Sequence, residues 1–296
     1  MAARSARPSR TAEFVALFRA LETARPPERR LFEDAYAEAL LGPPLRAVVA
    51  LARVPATGRL VYETIDRRWP GSRLWIVVRT RFIDDLVRNA LDEGATQVVL
   101  LGAGLDTRAH RIDRVRRARV FEVDELATQR LKRERLARVL ERTPSHVRYV
   151  ALDFERDDLA SALQAAGLRP DSPSVVVWEG VTSYLGADAV DATFRSLAAL
   201  TAPRSTVVFT YLRRDVVTGE AEPPGAQAAA RAVRRAGEPF KFGLDPARVG
   251  GYLRERGFDL EEERSCADLA RAYFGAHDGP ELAAAFYRIA VARRRA

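Results

Sequence analysis

The residue pattern with the most chemical content is a pair of glycines followed by an acid. Gly102 and Gly104 come directly after the apolar run 98–101, and Asp124 ends a second apolar run, 118–123, 20 residues after Gly104 (124 − 104). Glycine lets the backbone turn sharply and approach a ligand with no Cβ in the way. A carboxylate at the tip of the second strand is suited to bind two hydroxyls of a ribose. The pattern therefore predicts a site for a nucleoside-containing cofactor.

The kind of nucleoside follows from what the glycine turn lacks. A dinucleotide site uses the pattern G-x-G-x-x-G, whose third glycine lets a helix N-terminus close on a pyrophosphate. In this chain the third position is Thr107, and the sequence contains no G-x-x-x-x-G-K-[ST] loop. S-adenosylmethionine has a ribose and an adenine but no phosphate, so the turn fits this cofactor better than NAD. The pattern alone leaves open a glycine turn that binds nothing.

Five segments, in sequence order, resemble the motifs of the class I methyltransferases of the leucine carboxyl methyltransferase family. They are R-T-R-F-I-D-D (79–85), V-L-L-G-A-G-L-D-T-R (99–108), F-E-V-D (121–124), L-D-F (152–154) and W-E-G-V-T-S-Y-L (178–185). The first 70 residues and the last 80 match the family only in general pattern. The family includes enzymes acting on a protein C-terminus and bacterial enzymes acting on small natural products. The resemblance implies S-adenosyl-L-methionine as the cofactor and methyl transfer as the reaction.

The resemblance also implies roles for single residues. Asp153 would accept a hydrogen bond from the adenine amino group, and the Phe154 backbone N–H would donate to a ring nitrogen. Glu179 ends a strand of almost pure valine, where a carboxylate is costly to bury without a partner, and the cofactor's α-ammonium is that partner. Arg79 would bind the α-carboxylate through its planar fork. The predicted cofactor-binding residues are Arg79, Gly102, Gly104, Asp124, Asp153, Phe154 and Glu179.

Three of these residues have structural alternatives. Asp124 could cap a helix predicted at 125–141, and Asp153 could cap one starting near residue 157, because Asp is a favoured N-cap residue. Arg79 could form a salt bridge with a nearby acid on its own helix, Asp84 or Asp85. These alternatives stay open at the level of sequence.

The acceptor side of the site is less well defined. Tyr184 and Tyr211, at or near strand ends, are predicted to bind substrate, although an aromatic residue there can equally be core, as can Trp178. His110 follows the glycine turn but is not expected to be a catalytic base. Asp106 and Arg108 are expected to brace the turn rather than to touch substrate. No catalytic residue is assigned.

The strong positive charge has a simple interpretation. The net charge is +8 and the pI about 10.1, which would ordinarily suggest nucleic acid or an anionic membrane. All but two of the basic residues are Arg, however, and they are interleaved with acids, as in a solvated helix face. No nucleic-acid or membrane partner is therefore expected, and the sequence does not indicate an oligomeric state.

Cysteine and histidine usage indicates neither a disulfide nor a metal site. The single cysteine, Cys266, excludes an intrachain disulfide, and three scattered histidines show no metal-ligand spacing, so no metal is expected. Apolar runs are too short to span a bilayer, and Glu13 and Arg19 interrupt any apolar signal segment. A cytoplasmic protein is expected.

The order of apolar runs predicts an α/β fold. Strands are expected at 97–101, 118–123, 147–151, 174–179 and 205–211, alternating with helices, and closing strands at 258–263 and 284–292. The expected architecture is a Rossmann-like, seven-stranded, mostly parallel sheet with helices on both faces. Residues 1–296 should form a single methyltransferase domain, in which 1–70 is a helical cap and 213–256 a helical insert over the active site. Helices expected in these parts are 11–23, 28–41, 44–53, 58–68, 226–236 and 245–256; a longer one is expected at 72–93.

The sequence thus predicts an S-adenosylmethionine-dependent O-methyltransferase acting on the carboxylate of a small-molecule, natural-product-like acceptor. A phenol or alcohol O-methyltransferase on the same fold is the nearest rival function, and it would need a base within reach of the acceptor. A nucleic-acid methyltransferase and a non-catalytic cofactor binder are less favoured by the sequence.

Overall fold

A seven-stranded β-sheet forms the centre of the molecule. The computed structural model describes residues 8–142, 144–275 and 284–296. The strands are β1 (Gln97–Leu101), β2 (Arg119–Asp124), β3 (Val147–Ala151), β4 (Ser174–Trp178), β5 (Thr206–Leu212), β6 (Phe258–Ser265) and β7 (Tyr287–Arg294). The α-helices are α1 (Arg10–Thr23), α2 (Pro43–Arg53), α3 (Pro55–Arg68), α4 (Ser72–Asp92), α5 (Arg108–Arg111), α6 (Leu126–Leu136), α7 (Leu159–Ala165), α8 (Ala187–Leu200), α9 (Arg214–Thr218), α10 (Ala226–Ala236), α11 (Val249–Arg254) and α12 (Cys266–Phe274).

The strand order places the glycine turn at the middle of the sheet. The order is β3-β2-β1-β4-β5-β7-β6. Strands β1 to β5 are parallel, and β7 runs antiparallel to both of its neighbours. The predicted mostly parallel, Rossmann-like sheet is therefore confirmed. The order reverses between β1 and β4, and ligands of open α/β sheets bind beyond the carboxyl ends of the strands at such a point.

The valine-rich strands are buried on both faces. All five residues of β1 are buried. Because side chains alternate along a strand, Val98 and Leu100 belong to the core on one face, whereas Val99 and Leu101 belong to the core on the other. Each face is covered by helices, which explains why these strands are continuous apolar runs rather than alternating ones.

The secondary structure differs from the prediction in several places, of which two affect the packing most clearly. The helix expected at 28–41 is wrong: this segment contains short 3₁₀ turns at Pro27–Arg29 and Glu38–Leu40. Between them the Asp34 carboxylate accepts hydrogen bonds from the backbone N–H groups of Tyr36 and Ala37, so it competes with helix formation. Helix α12, which was not predicted, begins at a capping box in which Ser265 and Asp268 bond each other's backbone N–H.

The described residues contain helices in both the predicted cap and the predicted insert. Helices α1 to α3 occupy the described part of the 1–70 cap, and α9 to α11 lie within the 213–256 insert. It remains a prediction that the cap, the insert and the sheet form a single domain. Among the described residues, no helix combines the length and hydropathy that crossing a membrane requires.

Candidate functional site

A cavity of about 470 Å³ lies at the carboxyl ends of β1, β2 and β4. All seven residues predicted to bind the cofactor line it: Arg79, Gly102, Gly104, Asp124, Asp153, Phe154 and Glu179. We call it the first cavity. The structure thus brings together residues that come from α4, the glycine turn and the ends of three strands, as expected for parallel strands whose carboxyl ends share one edge of the sheet.

The glycine turn needs both glycines for steric reasons. The φ angles of Gly102 and Gly104 are +62° and +46°, in the left-handed region that side chains rarely adopt. A Cβ at Gly102 would also collide with the side chain of Val181, and one at Gly104 would lie 3.3 Å from the Cβ of Ala12. The turn therefore packs tightly against the loop after β4 and against α1, and it can still present its backbone to the cavity.

Asp124 faces the glycine turn rather than capping a helix. Its Oδ2 accepts a hydrogen bond from the Gly104 N–H at 2.5 Å, and its Oδ1 accepts one from the Glu125 N–H at 2.7 Å. Helix α6 starts at Leu126, with Glu125 as its N-cap residue, and has no side-chain cap. Burial raises the pKa of Asp124 to about 6, against the lowering effect of the two backbone donors. The helix-cap alternative is therefore not realised.

Asp153 is also free of the capping role. Helix α7 is capped by Asp158, whose carboxylate accepts hydrogen bonds from the N–H groups of Ala160 and Ser161. Asp153 instead forms a turn, in which its Oδ1 accepts a hydrogen bond from the Glu155 N–H at 3.0 Å. Asp153 and Phe154 stand side by side on the wall of the first cavity.

Arg79 pairs with Glu179 and not with the acids on its own helix. Arg79 Nε lies 2.7 Å from Glu179 Oε1, and both side chains are almost fully buried. The other oxygen of Glu179 accepts a hydrogen bond from Arg108 Nη1 at 2.6 Å. Burial raises the pKa of Glu179, but the guanidiniums of Arg108 and Arg79 outweigh it and hold that pKa below its ordinary value. Glu179 is therefore an ionised carboxylate on the cavity wall, shared by two cations.

Arg108 ties this pair to the glycine turn. It bonds Asp106 through its backbone N–H at 2.7 Å and through Nη1 at 2.5 Å, so the two residues brace the turn as predicted. Arg108 Nε also donates to Asp84 at 2.8 Å. Asp84 also accepts a hydrogen bond from Arg111 at 2.7 Å. These two arginines occupy Asp84, which explains why it is not a partner of Arg79. A buried network of alternating charges thus fixes the floor of the first cavity.

A second cavity, of about 300 Å³, adjoins the first. The two share Thr11, Val15, Arg79, Gly180 and Tyr184. The second cavity is lined largely by rings, which are Phe14, Phe18, Trp69, Trp75, Tyr184 and Tyr287. Among its described lining residues there are four arginines but no Asp, Glu or His. Its remaining wall comes from α10, through Ala229, Ala232, Val233 and Ala236.

Two tyrosine hydroxyls of the second cavity stay protonated near neutral pH. Burial raises the pKa of Tyr184 above its ordinary range. Burial also raises the pKa of Tyr287 to about 12, against the lowering effect of Arg79. Tyr287 stacks on Trp75 with ring centroids 5.5 Å apart. These hydroxyls can therefore donate hydrogen bonds to an acceptor, but they are poor bases.

The structure does not bring Tyr211 into this group. Its ring is buried in the core against Phe209, its hydroxyl donates to Glu263 at 2.7 Å, and it lines neither of the two cavities. Trp178 is likewise a core residue, packed edge-to-face on Phe194. Tyr211 is therefore a core residue in this structure, and no substrate-binding role is proposed for it.

The histidines lie away from both cavities where the structure describes them. His110 is buried, and its Nε2 is 3.8 Å from Glu122; burial lowers its pKa to about 3. His146 bonds the carbonyl of Ala109, and His277 lies outside the described residues. Within the described ranges, no group of His, Cys, Asp and Glu is arranged to hold a metal ion.

Sequence reasoning missed the contribution of α1. Ser9, Thr11, Ala12, Val15 and Arg19 line the first cavity, and Arg19 donates to the carbonyl of Leu105 at 2.5 Å. It also missed Trp75 and Tyr287 in the second cavity. Trp75 stands one helical turn before Arg79 on α4, and this i, i+4 spacing was the available signal. The other contributions depend on how distant segments pack, which no local pattern shows.

The chain is similar in sequence to known methyltransferases. The family model for leucine carboxyl methyltransferase matches residues 12–198. A protein of Frankia alni, named as an S-adenosyl-L-methionine-dependent methyltransferase, is 39% identical over 212 residues, covering 70% of each chain. One from Mycolicibacterium smegmatis with the same type of name is 32% identical and covers 90% of this chain and 94% of its own.

Solved structures show the same fold at low sequence identity. A methyltransferase-like protein of Thermobifida fusca superposes with a TM-score of 0.59 at 17% identity, covering 99% of this chain and 97% of its own. A DUF574 family protein of Streptomyces avermitilis gives a TM-score of 0.60 at 16% identity, covering 94% and 96%. The chain has the class I methyltransferase fold. It belongs to the leucine carboxyl methyltransferase family and is an S-adenosylmethionine-dependent methyltransferase.

Proposed function

We propose that the chain methylates a carboxylate oxygen of a small-molecule acceptor, so that the product is a methyl ester. The observation that carries this proposal is the chemistry of the second cavity, whose described lining contains arginines and tyrosines but no acid or histidine. A carboxylic acid has a reference pKa near 4 and arrives ionised, whereas a phenol near 10 arrives protonated. A phenol acceptor would gain from a general base, and this cavity offers none among its described residues.

The first cavity fits the cofactor in its polar groups. We assign Asp124 to the ribose hydroxyls, since each of its oxygens accepts only one backbone hydrogen bond and can accept another. Asp153 and Phe154 would bind the adenine. Arg79 would hold the α-carboxylate with the nitrogens that Glu179 does not use, and Glu179 would receive the α-ammonium. Gly102 and Gly104 would let the backbone approach closely. These assignments combine the positions of the side chains with the family's pattern.

The chain's own contribution to catalysis is alignment and exclusion of water. Bound S-adenosylmethionine supplies a methyl group on a sulfonium, which is already a strong electrophile. Tyr184 stands where the two cavities meet, so it can orient an acceptor carboxylate by a donated hydrogen bond. The aromatic rings around that point keep water out. Alignment of the acceptor oxygen with the methyl group is worth several kcal/mol of the barrier.

The size of the second cavity supports a small-molecule acceptor. At about 300 Å³ it is at the lower end of the range for ligand pockets. A folded polymer does not fit such a space, although an extended end of one could enter. We therefore propose a free small acid rather than a nucleic acid as the substrate.

Product analysis tests this proposal. The full-length enzyme is incubated with S-adenosylmethionine and matched pairs of aromatic carboxylic acids and phenols, and the products are identified by mass spectrometry. We expect methyl esters, at a rate that is nearly flat between about pH 7 and 9 because the acid is ionised throughout. A methyl ether as the main product, formed faster as the pH rises, would overturn the proposal in favour of a phenol O-methyltransferase.

A further inference from the structure

Three arginines of the second cavity have no counter-charge. Arg10, Arg68 and Arg235 line it and are exposed. Within the part of the chain that the structure describes, none of the three forms an ion pair. By contrast, two neighbours in the sequence are paired: Arg67 with Glu63 at 3.1 Å and Arg73 with Asp66 at 2.6 Å. Three unpaired arginines on the rim of one aromatic cavity, with no acid in its described lining, favour an anionic ligand there.

The three rim arginines lie at the exposed side of the second cavity. Arg79, which both cavities share, is buried, whereas the three rim arginines are exposed. They come from different elements: Arg10 begins α1, Arg68 ends α3 and Arg235 lies in the last turn of α10. The space between the buried and the exposed ends is walled by rings, including Trp69, whose ring centroid is 5.5 Å from the Arg68 guanidinium.

We propose that the acceptor is a flat, apolar or aromatic acid that carries a second anionic group, held by Arg10, Arg68 and Arg235 at the exposed rim of the second cavity. This inference rests on the proposed function, because it takes the junction of the cavities as the place of methyl transfer. Guanidinium forks bind carboxylate, sulfate and phosphate groups through paired charge-assisted hydrogen bonds. The rings bind the apolar body between the two charges.

Two probes that differ only in the second charge test the inference. Binding of biphenyl-4-carboxylate and biphenyl-4,4′-dicarboxylate to the full-length enzyme is measured by calorimetry with S-adenosylhomocysteine present. We expect the dicarboxylate to bind about tenfold more tightly. The Kd of the dicarboxylate should rise about two- to fivefold, the scale of an exposed ion pair, in each of the single variants Arg10→Gln, Arg68→Gln and Arg235→Gln. The triple variant should bind the two acids equally.

Arg234→Gln is the matched control. Arg234 is the neighbour of Arg235 on α10 and is exposed, but it lines neither cavity. Its variant should keep the preference for the dicarboxylate, and all variants should bind S-adenosylhomocysteine as the parent does. Equal affinity of the parent for the two acids, including no measurable binding of either, would overturn the inference. Failure of the proposed function would look different, since the dicarboxylate would bind with this preference yet give no ester.

Discussion

Asp124 combines burial with a place on the wall of the first cavity. Its raised pKa, about 6, means that the ligand-free protein holds a proton there in weakly acidic solution. Between an unfolded pKa near 4 and the folded pKa near 6, the folded state binds more protons, so this group's contribution to stability falls as pH rises through that window. Ribose hydroxyls donate hydrogen bonds to the ionised form, and cofactor binding should therefore expel the proton.

Cofactor affinity should accordingly depend on pH through Asp124. We expect the affinity for S-adenosylhomocysteine to be about tenfold weaker at pH 5 than at pH 7, and to level off above pH 7. Calorimetry in buffers of different ionisation enthalpy should show proton release near pH 6. Asp124→Asn should bind about 5- to 150-fold more weakly at pH 7 and lose the pH dependence. A variant that keeps the parent's pH dependence would show that another group is responsible.

Arg79 binds two partners if it binds the cofactor, and a lysine lacks the planar fork that holds both in a fixed geometry. Its Nε is bonded to Glu179, which leaves its other nitrogens for a carboxylate. Arg79→Lys keeps the charge but loses the fork, so we expect the Kd for S-adenosylhomocysteine to rise about tenfold or more, as for loss of a hydrogen bond to a charged group.

Arg88→Lys is a suitable control for that measurement. Arg88 lies on the same helix, pairs with Asp85 at 3.0 Å and lines neither cavity. It should bind the cofactor product like the parent. Equal affinity of Arg79→Lys and the parent would mean that the Arg79–Glu179 pair is structural and that the α-carboxylate is held elsewhere.

Single-residue sequence signals identified residues that line the first cavity but not the electrostatics of that cavity. Gly102, Gly104 and Asp124 were predictable because a backbone turn and a strand-end acid are local features. The sharing of Glu179 by Arg79 and Arg108 was not, because Arg79 and Glu179 are 100 residues apart. Sequence reasoning considered only acids on the same helix, whereas tertiary packing decided the partner.

The predictable helices and strands were those with a strong pattern of apolar residues. The five parallel strands appeared where the apolar runs stood, and α4 appeared within one residue of its expected end. The segment 28–41 has enough apolar residues to suggest a helix, yet the buried carboxylate of Asp34 bonds Arg19 and Thr107 and holds it in turns. Local propensity is a weak guide where a side chain from one segment is committed to another.

Helices α1 and α10 show what an element-level prediction leaves out. Both were expected as helices, in the cap and in the insert over the active site, but the residues by which they line the second cavity were not identified. The small side chains of α10 allow it to approach α1, and this approach depends on side chains separated by more than 200 residues in the chain. The acceptor side of the site is therefore the part that sequence reasoning described least well.

At the scale of the whole molecule, the N-terminal cap and the sheet share one core. The same apolar cluster contains Leu17 and Leu21 of α1, Val49 of α2 and Val98 and Val120 of the sheet. Burial of large apolar side chains in a common core stabilises each by about 1.5–3 kcal/mol and couples the elements that supply them. The cap should therefore not unfold separately from the sheet.

Calorimetric unfolding tests this coupling and the prediction of a single domain. We expect one transition in a differential scan, with the van't Hoff and calorimetric enthalpies in agreement. S-adenosylhomocysteine at 100 times its Kd should stabilise the folded state by about 2.7 kcal/mol and move the whole transition upward. A separate early transition that removes cofactor binding would instead identify the cap as an independent unit.

The alanine-rich wall contributed by α10 has a consequence for engineering. Ala229, Ala232 and Ala236 border the second cavity only, while the groups assigned to the cofactor sit on strand ends and α4. Acceptor size can thus be redesigned on a single helix by exchanging methyl side chains for larger ones. Such a library would leave the methyl-donor machinery intact, which makes this protein a scaffold whose selectivity can be evolved separately from its cofactor affinity.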